Sequence, residues 1–110
     1  MIPIDPVRSA TFRLLTGAPP ALVWGCLTCP QRSPRYLHGL ALHTTWRPGA
    51  QVELTAAHCT LTGEILHVER EQRLSLTVED GSGSCTYLTW LLRPQEDGTV
   101  VRLLVEEYDG

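Results

Sequence analysis

The sequence predicts an α+β domain: a curved antiparallel sheet of six to seven strands, with one or two short helices after the first strand. Three observations predict it. Apolar and polar residues alternate along six successive segments after residue 38. Short polar turns join those segments, and helical spacing occurs only between the first strand and the second. Strands and helices kept in separate runs give an antiparallel sheet, whereas strict β–α alternation gives a doubly wound parallel one. The 110 residues, 43% of them hydrophobic, suffice for one core without metal or disulfide staples. A single domain over residues 9–110 is expected, after an extended, proline-bearing lead-in at residues 1–8.

From Ser9 to Thr16, Phe12, Leu14 and Thr16 alternate with Thr11, Arg13 and Leu15, which reads as a strand. Gly17-Ala18-Pro19-Pro20 ends it. Proline suits the first helical turn, where its missing N–H has no intrahelical partner to lose. Val23, Trp24 and Leu27 then recur at helical spacing, predicting a helix over 20–28 that Pro30 stops. Residues 31–37, broken by Pro34, allow at most one more helical turn. From His38 the period becomes two: Leu40, Leu42, Thr44 and Trp46 alternate with Ala41, His43 and Thr45. Arg47-Pro48-Gly49-Ala50 reads as a turn, and Val52 and Leu54 mark the next strand. Four more strands are expected at 60–68, 74–79, 84–93 and 99–108. Their separators are Glu69-Arg70-Glu71-Gln72, Asp80-Gly81-Ser82-Gly83 and Glu96-Asp97-Gly98, each of hairpin length.

These strands share one apolar face: Leu40, Leu42, Val52, Leu54, Ile65, Leu74, Leu76, Val78, Leu88, Trp90, Leu92, Val101, Leu103 and Val105. A helix of about two and a half turns, at about 1.5 Å per residue, is too short to cover six strands about 4.8 Å apart. Left wet, such a face exceeds what soluble monomers expose. The expected cover is a partner chain, a sheet curled on itself, or a further element.

Composition excludes several function classes. The nine basic residues are all Arg and the net charge is −3. With no basic run, sequence-independent nucleic-acid binding is not expected. No apolar stretch reaches the length of a membrane span. Met1-Ile2-Pro3-Ile4-Asp5-Pro6 has neither the basic start nor the apolar run of a secretory signal, and the expected address is the cytoplasm. In that compartment Cys26, Cys29, Cys59 and Cys85 read as small buried hydrophobes.

Phe12, Ala18-Pro19-Pro20-Ala21-Leu22-Val23-Trp24 and Leu27-Thr28 resemble the first strand and helix of the START-like helix-grip (SRPBCC) superfamily. Trp46-Arg47-Pro48-Gly49-Ala50, Gly63-Glu64-Ile65-Leu66, Arg73-Leu74-Ser75-Leu76, Thr89-Trp90-Leu91-Leu92 and Asp97-Gly98-Thr99 carry the resemblance onward, over residues 9–108. It is strongest to the branch homologous to the activator of heat-shock protein 90 ATPase, near polyketide cyclase and lipid-transfer relatives. The resemblance implies a curved sheet gripping a long C-terminal helix, with an apolar cavity between them. The sequence ends at Gly110, about where that helix should begin. A domain truncated at its C-terminus is therefore expected, as a homodimer whose copies cover each other's apolar sheet face.

Candidate chemistry is sparse. Cys26-Leu27-Thr28-Cys29 has C-x-x-C spacing, but at the C-terminal end of the predicted helix, where the dipole disfavours a thiolate. Where relatives commonly carry a Leu-Thr-Asp-Pro stretch, Cys29 replaces the Asp. His38, His43, His58 and His67 form no zinc-binding motif, and no metal or cofactor is expected. Gly81-Ser82-Gly83-Ser84 lies between strands, so it is a hairpin loop and not a phosphate cradle. Adjacent carboxylates such as Glu106-Glu107 point to opposite faces of a strand and cannot act as a convergent acid–base pair. His67 shares strand parity with Leu61, Gly63 and Ile65 and is expected to point inward. The expected function is a non-catalytic binding module for a small hydrophobic ligand. Leu42, Trp46, Leu54, Ile65, His67, Leu76, Leu88, Trp90 and Leu103 would line its cavity. The resemblance also allows an interaction module contacting a chaperone. A polyketide cyclase or aromatase would further need a polar cavity residue such as His67 or Tyr87.

Overall fold

The computed structural model describes residues 8–28, 41–56, 59–79 and 83–108. The chain runs β1 (Arg8–Thr16), α1 (Pro20–Leu27), β2 (Ala41–His43), β3 (Gln51–Ala56), β4 (Cys59–Glu69), β5 (Arg73–Glu79), β6 (Cys85–Gln95) and β7 (Gly98–Tyr108). All seven strands form one antiparallel sheet in the order β1-β7-β6-β5-β4-β3-β2. Five consecutive hairpin neighbours build it from β2 to β7, and β1 returns to close the far side against β7. The α+β class is confirmed. The second helical turn expected at 31–37 lies outside the described residues, as do Leu40, Cys29 and His58.

The register carries the predicted alternation across the sheet. Leu42 faces Leu54, and Leu54 faces Leu61. Ile65, Leu76, Leu88 and Val105 lie in one cross-strand row; Leu74, Trp90, Leu103 and Phe12 lie in the next. Cross-strand partners share a face of the sheet, so these rows form one apolar surface, called here the inner face. Leu42, Val52, Leu54, Ile65, Leu74 and Leu76 are sealed there, none more than 2% exposed. Val23 and Trp24 of α1, with Trp46 and Ala50 of the β2–β3 connection, pack against them. Part of the face expected to need a cover is thus buried within the chain itself. Among the described residues, α1 and the Trp46 segment pack against its deep part, and an apolar groove opens at the flank beside β1.

Three local departures reshape the sequence reading. The second strand ends at His43, and Trp46 adopts a left-handed conformation (φ 57°) outside any strand. A β-bulge separates Ile65 from His67, so Ile65 opposes Leu76 while His67 opposes Ser75. One extra residue inverts the alternation beyond it. Val68 takes the inner position facing Leu74, and His67 is turned to the outer face, against the inward orientation expected for it. Between Thr62 and Ile65, the Glu64 amide donates to Thr77 Oγ1 at 3.0 Å. A Cβ on Gly63 would stand 1.7 Å from the Thr77 carbonyl oxygen, so only glycine permits that approach. Pro94 fits within β6 because β5 begins opposite Leu91, leaving no β5 partner for the proline to fail.

Candidate functional site

The open flank is a groove between α1 and the β1-β7-β6 end of the sheet. Phe12 and Leu14 of β1 sit beside Leu103 and Val101 of β7, and Trp90 lies beyond Leu103 on β6. Leu22, Val23, Cys26 and Leu27 of α1 form the opposite wall. The cavity volume is about 410 Å³, within the range of small-molecule sites. Trp90 forms its floor and is only 4% exposed, whereas Phe12, Leu14 and Leu22 on the rim are 58%, 62% and 52% exposed. Large apolar side chains this exposed and this close together form a patch of the kind that marks an interaction site.

Sequence chemistry sets the position of α1. Pro19 caps the helix with extended backbone, and its carbonyl accepts from the Leu22 and Val23 amides at 3.0 and 3.1 Å. The link from β1 is clamped at Ala18, whose amide donates to Thr16 Oγ1 at 3.2 Å. Thr99, fully buried at the start of β7, donates its hydroxyl to the Ala18 carbonyl at 2.8 Å. The Thr28 amide and hydroxyl both reach the Trp24 carbonyl and finish the helix. The link that leads into the helix is thus tied to β7 by one hydrogen bond, and the helix is held over the sheet by packing and not by helix propensity alone.

Of the residues expected to line a cavity, Trp90 and Leu103 line this groove. Leu42, Leu54, Ile65 and Leu76 are sealed core residues, and Leu88 packs half-buried against that core. Trp46 borders a second depression with Ala21, Trp24 and Val68. His67 lies on the outer face, its Nε2 paired with Glu69 Oε1 at 2.7 Å. Tyr87, whose partner strands place it beside Glu106 and Thr77, is also on the outer face, in edge-to-face contact with Tyr108. Neither polar candidate for cyclase chemistry reaches the groove. The other lining residues were absent from the expected set, among them Phe12 and Leu14 on β1 and Leu22, Val23, Cys26 and Leu27 on α1. The alternation of Phe12 and Leu14 in the first strand was the signal for the β1 side of the groove.

Cys26 lines the groove in the last turn of α1. Among the described residues, no three His, Cys, Asp or Glu side chains converge as metal ligands. No described helix is long and apolar enough to cross a membrane. Away from the groove, partial burial and then the nearby Glu79 carboxylate raise the Cys85 thiol above the ordinary range. The folded state therefore holds that proton more tightly. Cys85 is expected to alkylate more slowly than in the unfolded chain at mildly alkaline pH, its half-maximal rate displaced upward. Iodoacetamide labelling followed by peptide mass mapping, with and without urea, measures this.

The comparisons with known proteins agree on the fold. A family model described as "Activator of Hsp90 ATPase homolog 1-like protein" matches residues 17–109. No curated protein matches the chain. Among solved structures, CalU16 from Micromonospora echinospora is similar at 23% identity and TM-score 0.75, covering 94% of this chain and 62% of its own. This chain thus spans about three fifths of that relative's length. MLL2253 from Mesorhizobium loti is similar at 22% identity and TM-score 0.81, covering 92% of this chain and 77% of its own. DynU16, a protein in the dynemicin biosynthetic locus, is similar at 21% identity and TM-score 0.76, covering 92% of this chain and 38% of its own. Identities this low speak to fold, and function rests on the groove.

Proposed function

The chain belongs to the activator of Hsp90 ATPase homologue 1-like family, and from that premise we propose that it binds a small hydrophobic ligand in the α1–β1 groove without catalysing its conversion. The observation that carries the reading is the exposure of Phe12, Leu14 and Leu22 around the buried floor of Trp90. Burying apolar surface is worth about 25 cal/mol per Å², and this rim offers that surface to a ligand already shaped by a fixed helix and sheet. The occurrence of DynU16 in a biosynthetic locus favours a small organic molecule over a structural role. A chaperone-binding module is the other reading the family suggests; the groove's volume of about 410 Å³, in the small-molecule range, favours the ligand.

Titration with N-phenyl-1-naphthylamine, a neutral fluorescent probe, tests the proposal. Saturable binding with enhanced emission is expected, weakened at least tenfold in Leu14→Asp, an exposed position whose substitution leaves the core intact. Emission that never saturates, or saturates equally in the variant, contradicts ligand binding. A concentration-dependent mass in sedimentation, abolished by Leu14→Asp, would assign the flank to a second copy of the chain instead.

A further inference from the structure

The outer face of the sheet carries a second feature, which shares only Arg13 with the lining of the groove. Arg13 on β1 lies directly opposite Arg102 on β7. Arg102 faces Leu91 on β6, and Leu91 faces Arg73 on β5, so one row crosses four strands. Arg93, two residues beyond Leu91, stands on the same face. All four arginines are exposed and line one basin of about 730 Å³, with Pro20, Leu91, Val100 and Pro94 between and beside them. Like charges directly opposite each other on a sheet are destabilising. Two carboxylates border the basin: Glu69 stands opposite Arg73 in the register and lies 2.7 Å from His67, and Glu71 lies 3.7 Å from Arg70, so the Arg13–Arg102 end of the row is the part with no carboxylate beside it. Among the described residues, no carboxylate forms an ion pair with Arg13, Arg73, Arg93 or Arg102. The chain as a whole is acidic, at −3, so this band runs against its overall charge.

We propose that the outer-face arginine row is a docking surface for an extended acidic segment of a partner protein. The geometry selects that occupant. Three inter-strand steps of about 4.8 Å make the row about 14 Å long, much wider than one phosphate group. An extended chain rising about 3.3 Å per residue covers it in about four residues, presenting carboxylates that guanidinium forks grip in paired hydrogen bonds. Leu91 and Val100 supply apolar footing for the segment's backbone and side-chain stems. The row is assembled only by strand register; in sequence its members lie on four separate strands.

Isothermal titration with an octaglutamate peptide tests the surface in the intact chain. Saturable 1:1 binding that weakens as salt rises is expected. Arg73→Gln and Arg102→Gln should each weaken it about tenfold or more, while Arg47→Gln, in the β2–β3 connection, leaves it unchanged. Arg102→Gln should also keep or raise the melting temperature of the free protein, because it removes a like-charge pair; a merely structural arginine would lower it. Absent binding, equal loss in Arg47→Gln, or a lowered melting temperature in Arg102→Gln overturns the proposal. Displacement of the peptide by equimolar pyrophosphate would also overturn it, giving the site to a small anion. A groove variant away from Arg13, such as Leu22→Asp on α1, should leave peptide binding intact, so failure of this surface and failure of the ligand groove are distinguishable.

Discussion

Replacing Trp90 with alanine is expected to destabilise the fold by about 3–5 kcal/mol, the cost of deleting a large aromatic from a packed interior. Trp90 is 4% exposed. It lies in the cross-strand row with Leu74 and Leu103 and forms the floor of the groove, so its loss opens a cavity between core and groove that neither can collapse to fill. For a chain of this size the melting temperature should fall by at least about 10 °C. Urea unfolding monitored by circular dichroism measures the change. A loss below about 1 kcal/mol would mean that the Trp90 ring makes few of the contacts its burial implies.

Gly98→Ala should cost about 2–4 kcal/mol from a position that contributes no side chain. Gly98 opens β7 with φ 150°, a conformation that L-residues rarely adopt, and a Cβ there would stand 1.8 Å from the Thr16 carbonyl oxygen. Backbone strain of that kind costs about 1–3 kcal/mol, and separating β1 from β7 would also sacrifice the Thr99–Ala18 hydrogen bond. Because that bond anchors the entrance to α1, the effect should extend to function. Guanidinium unfolding gives the stability loss, and probe titration of the surviving folded fraction should show weakened groove binding. A variant as stable as the parent would mean that β1 can leave β7 without penalty.

Most of the fold was legible in the chain because its hairpins are short and its inner strands alternate cleanly. The row from Ile65 through Leu76 and Leu88 to Val105 follows from period-two spacing alone. His67 was misplaced because counting by twos does not see an inserted residue. The signal was nonetheless present: Ile65-Leu66-His67-Val68 shifts the apolar phase from odd to even positions, which is what a bulge does. Trp46 was assigned to a strand because alternation continued past His43, whereas its left-handed backbone turns it toward α1. The groove was only half legible. Leu42 and Leu54 are sealed in a cluster against which Trp24 and Trp46 pack, a tertiary fact that local pattern does not carry. The arginine row was invisible for a similar reason: no basic run exists in the sequence, and four separate strands bring its members together.

Mapping amide chemical shifts during titration with neutral N-phenyl-1-naphthylamine tests the central claim most directly. The groove account predicts saturating shifts at Phe12, Leu14, Leu22, Trp90 and Leu103, with Tyr87 and Thr77 on the outer face unmoved. Shifts confined to the outer face, or no saturating shift anywhere, would contradict it.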